Sequence, residues 1–328
     1  MQESIAMTEN KNIWYCIVNP RAGSGKTMSE WIPAERKLEK KGVSYITEYT
    51  DHKKHATLLA YNAAEAGFRK FIAVGGDGSL HEVFCGLCRY CEEKGVNPAD
   101  FHLAVVPIGS GNDWIKSLGV KKDAKRIASL IADNSFQEMD VVAVTLGNGD
   151  KCHMANVGGT GFDAQVCKRV NHKKEAGKRG KWIYLSSLMR TIFTLKALNI
   201  KVIADGKQIH LGEVYSLAMG NGKYSGSGMC QVPKAELNDE LLDVMIVPKL
   251  KLGEIIKEVP RLFNSTVDQS SKILSFKCHQ LYVEPLNEHS QDIVEIDGEI
   301  EGRLPMRVEM SGHKINVLTS RKNQKKRS

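Results

Sequence analysis

Three glycine-rich segments contain the residues best suited to chemistry. Asn19–Thr27 has the sequence NPRAGSGKT, Gly75–Ser79 has GGDGS, and Pro107–Asp113 has PIGSGND. Glycines let a polyanion approach the backbone closely, and a carboxylate beside them can hold Mg²⁺ against phosphate oxygens. Each segment follows a short apolar run and precedes a helical pattern, so N–H groups at a helix start can face an anion. Together the three segments predict a phosphate-binding site.

The first segment is open to two interpretations. It ends in Gly25-Lys26-Thr27, as a P-loop does, but a P-loop needs a glycine six positions before the lysine, where this chain has Pro20. A loop between strand and helix that presents N–H groups to a phosphate is one interpretation. An ordinary strand-to-helix turn is the other, and this segment alone does not decide between them.

Two other patterns have a chemical and a structural interpretation each. Asp297-Gly298-Glu299 can supply a catalytic carboxylate, or it can be a simple hairpin turn. Cys85, Cys88 and Cys91 have a spacing seen in metal sites, but no further cysteine follows at ligand spacing. Since a spacing of three also places residues along one side of a helix, we favour a helix face for the cysteines.

Helix and strand patterns alternate over the first 140 residues. Strands are predicted at 13–18, 43–49, 71–74 and 103–107, and helices at 28–41, 55–67 and 80–94. This alternation predicts an α/β domain of the Rossmann or phosphofructokinase type, whose parallel sheet has helices on both faces. All three glycine-rich segments then fall at one edge of the sheet, where ligands bind in open α/β folds.

The pattern changes after about Asp140. Short β-type runs occur at 141–146, 152–157, 200–204, 214–219, 242–248, 275–283, 293–297 and 306–310, with helical stretches at 162–195 (interrupted) and 251–263. The pattern predicts an antiparallel, sandwich-like β-rich domain. We therefore expect a nucleotide-binding domain at 11–140, a β-rich domain at 141–320 whose last strand can return to the first domain, and a basic tail at 321–328.

Composition and charge agree with two folded domains. The chain has 328 residues, 46 Lys and Arg against 38 Asp and Glu, and a formal charge of +8. Seven basic residues and one acidic residue lie between Lys168 and Lys181, and five basic residues lie between Arg321 and Ser328. The first cluster precedes an apolar stretch, which suits an anionic membrane surface, although a solvated loop is an equal alternative. Nucleic-acid binding is not expected, because no aromatic residues are interspersed.

Several cellular settings are disfavoured. No run of about 18 uncharged apolar residues exists, so a transmembrane helix is not expected. The first twelve residues lack an apolar signal-peptide region. The eight cysteines lie mostly singly in apolar runs, which favours a cytoplasmic protein, with peripheral association at the inner face of a membrane left open.

The order and spacing of these motifs resemble the diacylglycerol kinase catalytic-domain family, in the group of bacterial diacylglycerol kinases and YegS-like lipid kinases. The N-terminal match consists of Asn19-Pro20, Gly23, GGDGSLHEV from Gly75 and PIGSGNDW from Pro107. The C-terminal match consists of Asn156-x-Gly158-x-x-Gly161-Phe162-Asp163, Gly220-Asn-Gly222, Tyr224-Ser-Gly226, Pro233-x-Ala235-x-Leu237-x-Asp239-x-x-Leu242-Asp243 and Asp297-Gly298-Glu299. The resemblance extends from about Ile13 to Val317.

The resemblance implies an ATP- and Mg²⁺-dependent kinase that phosphorylates a lipid hydroxyl, with diacylglycerol as the leading acceptor. It implies nucleotide contacts at Asn19, Gly23, Thr50, Gly75, Gly76, Asp77, Gly78, Ser79, Glu82 and Ser110. Asp77, Asp113 and Asp140 match the aspartates that organise Mg²⁺, and Glu299 matches the general base that deprotonates the acceptor. The β-rich domain would supply this base and the lipid site. Whether the protein forms a homodimer is left open.

The resemblance also implies a structural Mg²⁺ held by Asp239 and by the carbonyls of Glu236 and Leu241. Here the chain departs from the family, because Glu240 replaces the usual glycine after the aspartate. Either the loop does not need a positive φ at that position, or the metal site is altered. The chain also has His81 where many bacterial members have Asn. Sphingoid and ceramide kinases also have His at this position. A sphingoid lipid or another hydroxyl is therefore the alternative acceptor, and a catalytically silent nucleotide-binding protein is the least favoured hypothesis.

Overall fold

The computed structural model describes residues 10–109, 111–176, 181–287 and 292–320. The chain divides into two compact units. One comprises the residues up to Val141 and those from His313 onward, and the other comprises Val142–Gly312. Strands β5 (Phe136–Leu146) and β17 (Met306–Leu318) contribute residues to both units.

The first unit is built on a parallel sheet. Its strands are β1 (Trp14–Val18), β2 (Tyr45–Tyr49), β3 (Lys70–Gly75) and β4 (His102–Pro107), in the order β2-β1-β3-β4. The last part of β17 adds a parallel strand beside β4, with Asn316 opposite His102. The helices are α1 (Thr27–Lys40), α2 (His55–Glu65), α3 (Asp77–Lys94), α4 (Asp113–Ser117) and α5 (Ala124–Ala132).

Continuous apolar runs explain why this sheet lies inside the unit. All five residues of β1, WYCIV, are buried, and so are five of the six residues in each of β3 and β4. A parallel sheet covered on both faces requires such runs rather than strict alternation. Helix α1 packs with α5, and α2 packs with α3.

The second unit is β-rich and antiparallel. Its further strands are β6 (Lys151–Met154), β7 (Val157–Gly161), β8 (Leu198–Ala204), β9 (Lys207–Gly220), β10 (Tyr224–Ser225), β11 (Met229–Cys230), β12 (Leu242–Pro248), β13 (Leu274–Cys278), β14 (Gln280–Pro285), β15 (Ile293–Ile296) and β16 (Glu299–Arg303). Six of them are ordered β16-β15-β7-β9-β8-β14, and β12 pairs with both β9 and β13. The helices are α6 (Phe162–Glu175), α7 (Lys181–Thr194) and α8 (Leu252–Phe263).

Alternation of apolar and polar residues positions the strands of this unit. In β8, with the sequence LNIKVIA, the residues Leu198, Ile200, Val202 and Ala204 are buried and the residues between them are not. A period of two turns one side of a strand towards a core, so this pattern fixes which face is covered. A separate apolar cluster joins α6, α7 and α8 through residues such as Val166, Leu188 and Val259.

The structure confirms the predicted fold class, a parallel α/β sheet followed by an antiparallel β-rich part. Several element boundaries were wrong. Helix α3 begins at Asp77 rather than Leu80, because a carboxylate is favourable in the first turn of a helix despite its poor propensity in a helix interior. The runs 152–157 and 275–283 each form two strands, and β16 was not predicted.

Two further observations concern expectations from the sequence. Cys85, Cys88 and Cys91 lie within α3, as the helical interpretation predicted, and the last two are buried. Among the described residues, no helix is long and apolar enough to cross a membrane.

Candidate functional site

The glycine-rich loops of the first unit meet at one edge of its sheet. In the parallel register, Val18 of β1 is opposite Val74 of β3, and Gly75 of β3 is opposite Pro107 of β4. The loops that follow these strands are therefore neighbours, as expected at the carboxyl edge of a parallel sheet.

The carboxylate of Asp77 holds the loop after β4 in place. Its Oδ2 accepts hydrogen bonds from the backbone N–H groups of Asn112 (2.8 Å) and Asp113 (3.1 Å). Its Oδ1 accepts one from the N–H of Trp114 at 3.2 Å. These are N–H groups at the start of α4, which have no partner within the helix. Asp77 thus joins the start of α3 to the loop that follows β4.

Burial of the carboxyl group raises the pKa of Asp77 above its ordinary value, and the neighbouring charge of Asp113 raises it further. The three backbone hydrogen bonds act in the opposite direction. Asp113 is buried and has the Nζ of Lys116 at 2.7 Å. Asp140 on β5 is also buried, and the Nζ of Lys314 lies 3.5 Å from its Oδ1.

The loops after β1 and β4 touch through two glycines. Gly23 has a φ of +56°, and a Cβ atom there would lie 2.7 Å from Cγ2 of Ile108 and 3.1 Å from the N atom of Gly109. Gly109 has a φ of +94° and lies against the backbone of Gly23. Only glycine meets both demands, the left-handed backbone and the lack of space.

The remaining polar residues of the first two loops are bonded to one another. Asn19 donates from Nδ2 to Oγ of Ser79 at 3.1 Å, and Thr27 donates from Oγ1 to the carbonyl of Asn19 at 2.8 Å. Gly75 is closely approached, since a Cβ atom there would overlap with Oγ of Ser79. These contacts connect the first loop to the first turn of α3, which also contains Gly78.

Glu82 and Thr50 lie by the loop after β2. The two carboxylate oxygens of Glu82 accept hydrogen bonds from the N–H groups of Lys54 (3.0 Å) and Ala56 (3.2 Å). Thr50 is buried and donates its N–H to the carbonyl of Val18. Glu82 therefore holds the start of α2. Ser110, the remaining predicted nucleotide contact, lies outside the described residues.

In the second unit, Glu299 begins β16 directly after a tight turn. The turn residues Asp297 and Gly298 both have positive φ, +52° and +90°, as a hairpin of the type I′ class requires. The Asp297 carboxylate accepts from the N–H groups of Ala155 (2.8 Å, Oδ2), Asn156 (2.8 Å, Oδ1) and Val157 (3.2 Å, Oδ1). The hairpin interpretation and a catalytic Glu299 are thus compatible, because the turn fixes the backbone beside Glu299.

Helix α6 holds the other side of this turn. The carbonyl of Gly298 accepts from Sγ of Cys167 at 3.0 Å and from Nδ2 of Asn171 at 3.2 Å. Further along, Asp163 accepts from Oγ of Ser216 and Nε2 of Gln231, both at 2.7 Å. Burial raises the pKa of the Asp163 carboxyl, and these two hydrogen bonds oppose that rise.

The predicted structural metal loop contains a lysine partner instead. Nζ of Lys277 lies 2.6 Å from Oδ2 of Asp239 and 3.2 Å from Oδ2 of Asp243. Glu240 has a φ of +62°, so the loop keeps the left-handed conformation even though the residue is not glycine. The ammonium of Lys277 contacts two carboxylates, so it already supplies at Asp239 the positive charge that the predicted Mg²⁺ would bring.

Sequence reasoning found the three loops but missed the roles of several residues in them. The network at the sheet edge joins Asn19, Gly23, Gly75, Asp77, Ser79 and Asp113. The clamping role of Asp297 was missed, although a carboxylate at the first position of an Asp-Gly hairpin was a usable signal. The role of Lys277 was also missed, because it depends on the pairing of two distant strands.

Comparison with known proteins agrees with this arrangement. The family model described as "Diacylglycerol kinase catalytic domain" matches residues 14–144, and that of the "YegS C-terminal NAD kinase beta sandwich-like domain" matches residues 156–319. "Probable lipid kinase YegS-like" of Xanthomonas campestris is 27% identical over 245 residues, 74% of this chain and 75% of that protein. "Diacylglycerol kinase" of Mycobacterium tuberculosis is 22% identical over 269 residues, 82% of this chain and 84% of that protein.

A solved structure supports the fold. The crystal structure of a diacylglycerol kinase from Bacillus anthracis matches with a TM-score of 0.68 and 20% identity, over 95% of this chain and 98% of that one. The two family models together extend over both units of the chain. The protein therefore belongs to the lipid kinase family that joins a diacylglycerol kinase catalytic domain to a YegS-type C-terminal domain.

Proposed function

We propose that the protein transfers the γ-phosphate of ATP to the hydroxyl of a lipid, with diacylglycerol as the leading acceptor and phosphatidic acid as the product. The observation that carries the proposal is the network at the sheet edge of the first unit. There Asp77 holds the loop after β4, and Gly23 and Gly109 bring the loop after β1 against it. Such loops present backbone N–H groups and little side-chain bulk, which suits a triphosphate.

The nucleotide would contact this network and its surroundings. Asn19, Gly23, Gly75, Gly76, Gly78 and Ser79 would approach the phosphates, and Thr50 would lie near the nucleotide. Gly76 leaves room for such an approach, because the closest atom to a Cβ placed there would be the carbonyl oxygen of Ile108 at 3.6 Å. We expect Glu82 to act through the backbone of the loop that it holds, since both of its oxygens accept from backbone N–H groups.

Asp77, Asp113 and Asp140 are suited to Mg²⁺. All three offer carboxylate oxygens. The ammonium groups of Lys116 and Lys314 lie 2.7 Å from Asp113 and 3.5 Å from Asp140, and both would turn away when the ion binds. Mg²⁺ prefers oxygen ligands and keeps several waters, which agrees with carboxylates that also have other hydrogen-bond partners. When bound, Mg²⁺ supplies neutralisation of the charge on the phosphate oxygens.

Glu299 is the proposed general base. Its carboxylate would accept the proton of the lipid hydroxyl as the hydroxyl oxygen attacks the γ-phosphorus. The rigid turn at Asp297 and Gly298, held by three N–H groups on one side and by α6 on the other, supports this assignment. Such fixed positioning is what an effective base needs.

An apolar cleft in the second unit supports a lipid acceptor over a soluble one. The cleft has about 490 Å³ of space, including its part open to solvent, and is lined by residues such as Phe162, Leu195, Val259 and Leu262. An apolar lining of this kind suits the hydrocarbon part of a ligand. Ser216, which donates to the buried Asp163, is also in its wall.

Peripheral membrane association also belongs to the proposal. Helix α8 has Leu252, Ile256 and Phe263 on one side, each about half exposed, and its Ile255 and Val259 line the cleft. An exposed apolar stripe on an amphipathic helix suits the bilayer interface. Of the basic cluster, Lys173 donates from Nζ to the hydroxyls of Ser186 (2.9 Å) and Ser187 (3.0 Å), so it also joins α6 to α7. Lys178 and Arg179, like the tail at 321–328, lie outside the described residues.

The test is a transfer assay with radiolabelled ATP across a panel of diacylglycerols, ceramides, sphingoid bases and soluble alcohols. We expect the strongest labelling with diacylglycerol, and a stronger labelling of a sphingoid lipid would select the alternative acceptor. Glu299→Gln should lower kcat by roughly 10²- to 10⁴-fold while ATP binding is kept. Glu213→Gln, which alters an exposed ion pair with Lys249 in the same unit, is the matched control and should be unaffected. Full activity of Glu299→Gln would remove Glu299 as the base.

A further inference from the structure

We propose that Lys277 is a built-in cation that replaces the structural Mg²⁺ of the loop between Glu236 and Leu241. The inference concerns the architecture of the second unit and does not depend on the proposed function. It rests on the position of the Lys277 ammonium, on the two carboxylates that it contacts, and on the backbone of the loop.

The register of the sheet places Lys277 beside the two carboxylates. Strands β12 and β13 are antiparallel, and Lys277 of β13 is directly opposite Asp243 of β12. The neighbouring pair is Leu242 opposite Cys278, and both of these residues are buried. A slip of one residue would break up this buried pair and would also move Lys277 away from Asp243. The ammonium is thus fixed by the pairing of strands rather than by the loop itself.

Both carboxylates need a positive charge. Asp243 is only 4% exposed, and its Oδ2 lies 3.2 Å from Nζ of Lys277. Asp239 accepts the N–H of Leu241 at Oδ1 (3.2 Å) and contacts the ammonium at Oδ2 (2.6 Å). One ammonium therefore serves the carboxylate of the loop and the carboxylate of the strand that follows it.

The loop keeps its shape without the glycine that the family uses. Glu240 has a φ of +62°, a conformation that glycine adopts without cost and other residues rarely adopt. At this turn the N–H of Leu241 reaches Oδ1 of Asp239. The ion pair with Lys277 connects Asp239 to β13. A residue of the chain thus supplies the positive charge that a bound metal ion would otherwise supply to Asp239.

The ammonium and a divalent cation compete for one carboxylate. Mg²⁺ requires near-octahedral oxygen ligands at about 2.0–2.1 Å. A metal on Asp239 would stand beside the positive charge of Lys277, which is held by two carboxylates. We therefore expect the wild-type loop to bind no structural metal, and expect a site for one to appear only when the ammonium is removed.

The experiment compares thermal unfolding in nucleotide-free buffer with EDTA or with millimolar Mg²⁺, together with metal content by mass spectrometry after dialysis. The variants of the full chain are Lys277→Met, the double variant Asp239→Asn with Lys277→Met, and the control Lys249→Met. Lys249 forms a similar ion pair, with Glu213 at 2.8 Å, but both partners are about half exposed. The control reports any effect of Mg²⁺ at the other aspartates.

Wild type and Lys249→Met should retain no Mg²⁺ and should show the same Tm response to Mg²⁺. Lys277→Met should lose roughly 5 °C or more in EDTA, because Asp243 is left buried without its counter-charge, and Mg²⁺ should restore at least half of the loss. The double variant should lose this Mg²⁺ response. Two results would overturn the inference. One is a wild type that retains Mg²⁺ after dialysis and has a lower Tm once the Mg²⁺ is removed. The other is a Tm response of Lys277→Met to Mg²⁺ that equals the response of the control. If Lys277→Met does not fold, Lys277→Gln and the wild-type metal content decide.

Discussion

Replacing Asp297 by Asn tests whether the turn before Glu299 positions the general base. Asn tolerates a positive φ nearly as well as Asp, so the substitution leaves the backbone preference of the turn unchanged. In the side chain, a charged carboxylate with two acceptor oxygens becomes a neutral amide with one acceptor oxygen and an NH₂ donor. In the wild type both oxygens are used, with Oδ2 accepting the N–H of Ala155 and Oδ1 accepting those of Asn156 and Val157.

The magnitude follows from this arrangement. An Asn side chain has one carbonyl oxygen, which can take the place of Oδ1 and keep two N–H groups bonded. Its amide NH₂ then faces the N–H of Ala155 where an oxygen lay at 2.8 Å, and one partly buried donor is left without an acceptor. The cost is about 1–3 kcal/mol in the free energy of unfolding. The turn would move to relieve it, and a displacement of about 1 Å at a catalytic group can cost roughly 10²-fold in rate.

Asp205 provides a matched control in the same unit. It also begins a hairpin, with φ of +47° followed by Gly206 at +77°, and it also clamps backbone N–H groups. Its Oδ1 alone accepts the N–H groups of His279 (3.0 Å) and Gln280 (2.9 Å), so an Asn carbonyl can keep both. Asp205→Asn should therefore cost less stability than Asp297→Asn and leave kcat unchanged.

The assay measures urea unfolding of both variants, and kcat and KM for ATP with the accepted lipid. We expect Asp297→Asn to lose stability, to lower kcat about 10-fold to 100-fold, and to keep KM for ATP near the wild-type value. If Asp297→Asn is destabilised but keeps its kcat, the positioning role is refuted. If the two variants are destabilised equally, the unpaired N–H of Ala155 is not the cause of the loss.

Two further predictions concern one loop contact and one buried carboxyl. Gly23→Ala should raise KM for ATP more than Gly25→Ala does, because both glycines have positive φ but only a Cβ at Gly23 would collide, at 2.7 Å from Cγ2 of Ile108; equal effects would mean that backbone strain alone matters. The pKa of Asp163 is raised above 3.8 by burial, so the stability linked to its protonation is present at low pH and is lost as pH rises through the folded-state pKa. In urea unfolding, the stability of Asp163→Asn relative to the wild type should therefore increase from acid to neutral pH. A stability difference that does not change with pH would contradict the burial of this charge.

Carboxylates act repeatedly in this protein as acceptors for backbone N–H groups. Asp77 holds the start of α4, Glu82 holds the start of α2, and Asp297 holds the chain before β7. Hydrogen bonds from N–H groups to a charged acceptor are stronger than neutral ones, so each fixes a loop with few atoms. Substitutions at these positions therefore alter loop geometry as well as charge, and an activity loss alone does not identify a catalytic contact.

Much of the fold was predictable from the sequence because it depends on local patterns. Continuous apolar runs indicated the buried parallel strands, and short β-type runs such as the one at 200–204 indicated the antiparallel ones. The three glycine-rich loops were also predictable, since parallel strands place their carboxyl ends at one edge. Strand β16 was missed because EIEGR has neither an apolar run nor a clear alternation, and its place is fixed by pairing with β15.

The order and types of the motif residues by themselves determined the family, the two-part architecture and the candidate site residues. Tertiary structure alone decided which partner each carboxylate has. Asp77 meets N–H groups 35 to 37 residues away, and Asp297 meets others 140 to 142 residues away. Lys277 reaches Asp239 only through the pairing of β13 with β12. Hydrogen bonds and ion pairs act over about 3 Å in space, whatever the separation along the chain, so strand order and register were needed to reveal them.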